Sequence, residues 1–438
     1  ELTAIPNLGP KKIKILYDEL RITNAGELEY ACKENRLVTL SGFGEKTQKK
    51  ILKGIEFIKM HKGEFLYGDI FGISEVIRDR FKTIVKQEFV EICGSIRRKR
   101  EVVKNVDILV CGEDRERLSS FFVSMPEIEE VTLKGDTKIS CRLITGIEAD
   151  LRMVSEAEFP FALLYFTGSK EHNIRLRDIS KKKGWNLNEY GLFDGDNPIY
   201  LHSEEEIYRA LNLSYIPPEL REDMGEIEAA EEGMLPDLVM LDDIKGVFHI
   251  HTEFSDGMDS VEKMAYAARE MGFSYIGVSD HSKSAYYAGG LKVDDIYRQW
   301  EIIDELNESN KDFHIFKGIE SDILPDGSLD YDEKILEGFD FVIASIHSNF
   351  NLKKDDQMKR ILKAIENPYT NMLGHPTGRL LLSRDGYDVD MRTIIDAAAE
   401  YNVIIELNAS PYRLDIDWRH LRKKKKKGVL ISINPDAH

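Results

Sequence analysis

Residues 247–257 read VFHIHTEFSDG. A short apolar strand closes on two histidines spaced two apart, and an aspartate follows in the loop. Side chains alternate across a strand, so His249 and His251 point to one face, with Asp256 in the adjoining loop. The arrangement returns down the chain in YIGVSDH, FHIFKGIE, FVIASIH, NMLGHP, VIIELNA and VLISINP, with helical stretches between. Short apolar strands alternating with helices predict an α/β barrel-like domain over residues 244–438. In such a barrel, functional side chains cluster where strands end.

Nine side chains occupy that position: His249, His251, Asp256, His281, Glu320, His347, His375, Asp436 and His438. Taken singly, each is an ordinary strand-end group; six histidines at one topological place are not. Imidazole with carboxylate suits Zn²⁺, Mn²⁺ or Fe rather than Ca²⁺, and nine donors suit two or three ions. Closed structural zinc sites are cysteine-rich and four-ligand. An open multinuclear site lowers the pKa of a bound water and clamps a phosphate. The predicted chemistry is phosphoester hydrolysis.

The motifs FHIHTEFSDG, SDHS, GIESDIL, ASIHS, GHPTGR and NPDAH resemble those of the PHP (polymerase and histidinol phosphatase) domain, over about the last 195 residues. The resemblance implies a distorted (β/α)₇ barrel with a trinuclear Mn²⁺ or Zn²⁺ site. It also implies phosphatase, phosphodiesterase or 3′–5′ exonuclease activity. Arg379, in GHPTGR, is the candidate phosphate contact. Arg413, in NASPYR, is a second, with a salt bridge across the barrel rim as its alternative role.

The front of the chain has a different character. Residues 1–100 hold 20 Lys and Arg against 14 Asp and Glu, so the overall charge of −18 conceals a basic segment and an acidic remainder. A basic front suits phosphate contact, and an acidic back suits a protein that concentrates divalent metal. IPNLGPKKIKILYDEL and LSGFGEKTQKKILKGI share one form: apolar, turn, apolar, glycine, amphipathic helix. Each reads as a helix–hairpin–helix. Gly9, Gly42 and Gly44 let backbone N–H groups approach a phosphate, and Asn7 stands for a first glycine. Lys11, Lys12, Lys46, Lys49 and Lys50 add charge without base readout.

The next block offers a nucleotide cradle. In GSIRRKREVVKNVD, Gly94 and Ser95 permit contact with a triphosphate and Arg98 neutralises it. Arg97, Lys99 and Arg100 fit either the same role or a solvated basic turn. Asp107 and Asp150 lie on strands that are candidates for neighbours facing a shared Mg²⁺ or Mn²⁺. With GDTKIS, EADLRMV, YFTGSKEHN and LNEYGLF, this region resembles the family X DNA polymerases across about residues 1–215. In tandem with a PHP domain, it resembles the family's long prokaryotic form. The resemblance implies that an incoming nucleotide's sugar packs on Tyr165, Phe166 and Gly168, and that Asn173 bonds its base edge.

One departure matters. The family has Gly-Asp-x-Asp where this chain has Lys104-Asn105-Val106-Asp107. A neutral amide at Asn105 replaces the carboxylate that would bridge two ions, at a cost of several kcal/mol even at an effective dielectric of about 20. Lys104 adds a cation that fits a partial substitute for a metal. Two-metal nucleotidyl transfer is therefore expected to be strongly weakened.

At 438 residues, two to four domains are expected. Residues 1–62 read as the hairpin region, 63–155 as a polymerase-like palm, 156–216 as a thumb-like subdomain and 244–438 as the hydrolase. The acidic, proline-bracketed stretch 217–243 reads as a linker. The basic run 422–427, Arg422 followed by five lysines, reads as the solvated face of a helix. No apolar run reaches membrane-spanning length, and Cys32, Cys93, Cys111 and Cys141 form no C-x-x-C pair. These features predict a cytoplasmic monomer with reduced, buried thiols, acting on gapped or primer–template DNA and on deoxynucleotides. The family's lyase domain would precede Glu1, so no lyase activity is expected and the chain reads as a fragment.

Overall fold

The computed structural model describes residues 2–6, 8–33, 36–38, 40, 42–60, 62–421 and 428–438, with backbone alone at 4, 33 and 57–60. Asn7 and the basic run 422–427 lie outside the described residues. Two compact units, Glu1–Asp237 and Leu238–His438, make up the chain. No helix among the described residues is long and apolar enough to cross a membrane.

The first unit opens with helices Pro10–Leu20, Ala25–Lys33 and Glu45–Met60 around Leu8, Leu16, Leu28, Leu37, Phe43 and Ile51, all buried. The look-alike segments share geometry as well as sequence. Leu8 N–H bonds Ile5 O as Phe43 N–H bonds Leu40 O, and Lys12 N–H bonds Gly9 O as Thr47 N–H bonds Gly44 O.

A two-residue pair, β1 (Phe65–Leu66) and β3 (Val102–Val103), then borders a five-stranded sheet. Its strands are β2 (Val90–Ile92), β4 (Asn105–Cys111), β5 (Ile128–Lys134), β6 (Lys138–Leu143) and β7 (Glu148–Val154), in the order β2-β4-β7-β6-β5. Strand alternation sets its faces. Val106, Ile108, Ala149 and Leu151 turn into a core with Phe81 and Phe122, and Asn105, Asp107 and Asp150 turn outward. The thumb-like part carries helices Phe159–Thr167 and Lys170–Lys182, a hairpin of β8 (Trp185–Asn188) and β9 (Gly191–Asp194) extended by β10 (Asn197–Ile199), and helix Glu204–Ala210.

The stretch 217–243 departs from a linker in its first half. Ile227 and Ala230, on helix Glu226–Glu231, are buried with Leu176, Leu192, Ile207 and Tyr208. Its acids have partners: Glu219 meets Lys99 at 3.0 Å, Glu222 meets Arg98 at 2.8 Å, and Glu226 meets His172 at 2.8 Å. Composition suggested solvation because those partners lie 54 to 124 residues earlier.

In the second unit, seven strands run parallel in chain order: β11 (Gly246–Ile250), β12 (Tyr275–Val278), β13 (His314–Asp322), β14 (Phe341–Ser345), β15 (Met372–Leu373), β16 (Ile404–Asn408) and β17 (Ile431–Asn434). A parallel bridge between Ile250 and Ala437 joins the first strand to the segment after the last, closing the barrel. Helices Val261–Glu270, Val293–Ser309, Lys354–Ile365 and Met391–Tyr401 bury apolar faces against it. Parallel strands put all seven C-terminal ends at one mouth.

Candidate functional site

That mouth gathers the nine predicted side chains. Four overlapping groups have donor atoms within 4.8 Å of one another: His251, Asp256, His281 and His438; His249, Glu320 and His375; His249, His251 and Asp436; His281, Glu320 and His347. Glu320 is central, with carboxylate oxygens 3.1 Å from His249 Nε2, 2.8 Å from His281 Nδ1, 3.1 Å from His347 Nε2 and 2.9 Å from His375 Nε2. Most of the cluster is buried; Asp256 and His438 remain about a third exposed and form its open side.

His249 and His251 do not converge by simple alternation. Pairing with β12 shifts register between Val247 and Ile250, and His249 takes φ +58°. His375 (φ +21°) and Asp436 (φ +52°) also lie at positive φ. Such backbone costs about 1–3 kcal/mol at a non-glycine residue and persists where surrounding structure imposes it. Here it aims three donors inward.

The electrostatics are those of a cage for cations. Burial would lower the His347 pKa, but Glu320 and Asp322 raise it to about 10. Burial likewise opposes protonation of His249, yet Glu406, Asp436 and Glu320 hold its pKa well above the ordinary value. Burial would raise the Glu320 carboxyl, but His347, His249 and His281 keep it well below the usual range. Despite these charges, His249 Nε2, both nitrogens of His251, His281 Nδ1, His375 Nδ1 and Glu320 Oε2 are buried without an acceptable hydrogen bond. Proximity without hydrogen-bond geometry, in atoms that cost free energy when left unpaired, fits ion ligands.

Several functional neighbours carry no clear sequence signal. Glu406, fully buried, accepts His249 Nδ1–H at 2.6 Å and the His375 N–H at 2.7 Å. Asp322 pairs with His347 Nδ1 at 2.5 Å. Both fix the tautomer that leaves Nε2 facing the cluster. Asp280 accepts from Thr252 N–H and Oγ1–H and from Gln299, pinning the loop that leads to Asp256. Only the position of these acids at strand ends could have flagged them. Arg379, the expected phosphate contact, is spent elsewhere: it donates to Arg413 O, Leu414 O and Asp417. Arg413, braced by it, reaches the centre, with Nε 3.4 Å from Asp436.

In the first unit, Gly94, Ser95, Arg98, Tyr165, Phe166, Gly168 and Asn173 all line one cavity of about 510 Å³, with Asn105 and Asp107. Gly94 sits at φ +62°, and a Cβ there would lie 2.3 Å from Asp107 Oδ2, so only glycine admits that carboxylate. Asp107 and Asp150 are direct partners in the parallel β4–β7 register. Burial, then the charge of Asp150, pushes Asp107 up to about 6.

These acids already have local partners. Asn105 Nδ2 donates to Asp107 at 2.9 Å; Lys138 Nζ lies 2.9 Å from Asp150, and Ser140 donates to Asp150 at 2.5 Å. The cation on Asp150 is thus Lys138, from GDTKIS, and Arg152 adds its charge near Asp107. Lys104 pairs with Glu64 at 3.1 Å instead. The arginine turn is only partly solvated: Lys99 is exposed, but Arg97 and Arg98 are largely withdrawn into ion pairs. Arg97 binds Glu204 at 2.7 Å, and Glu204 binds the fully buried Arg221 at 2.6 Å. Asn173 spends its amide N–H on Tyr165 O at 2.7 Å, and Phe166 lies under Arg152. In the hairpins, Gly9, Gly42 and Gly44 face open space, with Gly42 at φ +83°. Lys11, Lys46, Lys49 and Lys50 are exposed and Lys12 is half-buried.

Comparison with known proteins agrees with both halves. The DNA polymerase beta thumb matches residues 162–222, and the PHP domain matches residues 248–410. The DNA polymerase/3′-5′ exonuclease PolX of Bacillus subtilis is 38% identical over 441 aligned residues, covering 100% of this chain and 77% of that protein. A probable phosphatase of Caldanaerobacter subterraneus is 29% identical over 207 residues, 43% of this chain and 74% of its own. The repair DNA polymerase X of African swine fever virus is 30% identical over 139 residues, 29% of this chain and 78% of its own.

Proposed function

The chain belongs to the PolX family, family X polymerases joined to a PHP phosphoesterase domain, and from that premise we propose that its principal activity is metal-dependent hydrolysis at DNA 3′ ends. The observation that carries the reading is the convergence of nine donors at the barrel mouth, with buried ring nitrogens left without hydrogen bonds. His249, His251, Asp256, His281, Glu320, His347, His375, Asp436 and His438 would hold up to three Mn²⁺ or Zn²⁺ ions. Such ions supply a water of lowered pKa and positive charge for the developing phosphorane oxygens. Glu406 and Asp322 keep the imidazoles in the ligating tautomer. Arg413 faces the phosphate from the rim, and the open side at Asp256 and His438 admits the strand.

The supporting parts follow. Residues 1–62 grip duplex backbone through Gly9, Gly42, Gly44 and the lysines beside them, without base readout. Residues 63–155 and the thumb cradle a primer end or a deoxynucleotide, with Gly94, Ser95 and Arg98 at its phosphates. Asn105 and the Lys138–Asp150 pair keep transfer slow. The protein acts as a cytoplasmic monomer on gapped or primer–template DNA.

A second reading rests on the in-register Asp107–Asp150 pair: Mn²⁺ sustains gap filling, with the barrel cleaning ends. A third follows from the phosphatase-like relatives of the barrel: a small phosphate ester is its substrate. One labelled gapped duplex with Mn²⁺, with and without deoxynucleotides, separates them. Shortening in both conditions supports hydrolysis, and growth with nucleotides establishes the polymerase. An unchanged label with rapid cleavage of a small ester overturns the main reading.

A further inference from the structure

The segment between His281 and Leu291 exposes two large rings, and one of them, Tyr287, lies beside the candidate metal-ligand cluster. Tyr286 is 88% exposed and Tyr287 71% exposed, while their small neighbours Ala285 and Ala288 are buried. A tyrosine ring gains far more than an alanine methyl by burial, so the inside-out arrangement brings the fold no stability. It is not a loose loop either. Ser284 N–H and Oγ–H both bond Asp330 at 2.6 Å, Gly290 N–H bonds Ala285 O at 3.1 Å, and Tyr331 Oη–H bonds Leu291 O at 2.5 Å. Gly290 lies so close to the Ser282 carbonyl that a Cβ would come within 1.9 Å of its oxygen.

This pinned segment sits at the mouth. The Tyr287 ring stands edge-on to His281, with centroids 6.2 Å apart. Its hydroxyl lies in the fields of Asp322, Glu320 and Asp256, and of Arg413. A strand whose terminal phosphate meets Arg413 and the cluster would bring its last base to these rings.

We infer that Tyr286 and Tyr287 form a stacking platform for the 3′-terminal base of a DNA strand, selecting an unpaired nucleotide end over a small phosphate ester. The inference rests on the hydrolytic reading of the barrel and names the substrate feature that site recognises. Stacking on aromatic side chains tolerates every base, because each has a π-face. This matches a protein that grips DNA without regard to sequence. Tyr287, against His281, contributes most; its more exposed chain neighbour Tyr286 extends the platform.

The test uses the full chain with Mn²⁺ and two 5′-labelled single strands, one ending in an ordinary nucleotide and one in an abasic tetrahydrofuran residue. For the ordinary end, Tyr287→Ala raises KM by about tenfold to a hundredfold at unchanged kcat. Tyr286→Ala does so by less, and Tyr287→Phe matches the parent. The parent shows the same rise in KM on the abasic end, and Tyr287→Ala adds nothing there. A parent that shortens both strands with equal KM overturns the platform while leaving hydrolysis intact. So does a Tyr287→Ala variant impaired by one factor on both ends, which is a structural effect. A parent that leaves the ordinary strand whole overturns the hydrolytic reading and the platform with it.

Discussion

The sheet of the first unit and the barrel of the second both collect acidic groups for cations, and they treat them in opposite ways. Asp107 and Asp150 face each other in register, but Asn105, Ser140 and Lys138 already bond them. Asp107 is pushed up to about 6 by burial and by Asp150. In the barrel, four histidines crowd Glu320, and five buried ring nitrogens of His249, His251, His281 and His375 have no hydrogen bond. The first arrangement is satisfied as it stands; the second leaves buried polar atoms unpaired. The two clusters differ in polar satisfaction rather than in the presence of acids.

The contrast breaks most directly at the barrel. His249→Ala lowers 3′-end hydrolysis by about a thousandfold, since an ion supplies several kcal/mol of charge stabilisation. Duplex binding, measured by fluorescence anisotropy, stays at the parent's value. Retained hydrolysis would remove the barrel from the chemistry.

Next in size is the anchoring of the arginine turn. Burial would raise the Glu204 pKa, but Arg221 and Arg97 hold it down to about 2, against 4.5 for a free glutamate. Its folded pKa lies below its unfolded one. The stabilisation is therefore complete above about pH 4.5 and is lost as pH falls toward 2. Glu204→Gln leaves two buried guanidiniums uncompensated and costs about 3 kcal/mol at neutral pH. It also flattens the acid-side slope of Tm, read by calorimetry. An unchanged slope would show that the carboxylate is not linked to folding.

A smaller effect sharpens the sheet side. Asn105→Asp restores a carboxylate beside Asp107 and raises primer extension with Mn²⁺ by about a hundredfold. Extension no faster than the parent's would mean that Lys138 on Asp150, and not the amide, blocks transfer.

The smallest effect probes the acids behind the barrel histidines. Glu406→Gln keeps the shape but loses the charge behind His249, and weakens Mn²⁺ binding by about tenfold in calorimetric titration. Equal affinity would leave Glu406 a purely structural group.

Much of this was legible before folding. The nine strand-end His, Asp and Glu side chains lie together, because parallel strands in a barrel share one mouth. The seven expected cradle residues share one cavity, because the Gly-Ser turn and the aromatic pair are local signals. What misled was composition read without partners. The acids at 219 and 222 looked like a solvated linker, and Arg379 looked free to hold phosphate.

The amino-acid order alone determined the barrel, the strand-end His, Asp and Glu set and the amide at position 105, because periodicity and residue chemistry are local properties. Only the tertiary structure decided which charges are already paired: Lys138 on Asp150, Arg379 on the 413–417 loop, Glu406 behind His249. Pairing depends on distance in space, and residues 12 to 157 apart in the chain meet only once burial and strand register bring them together.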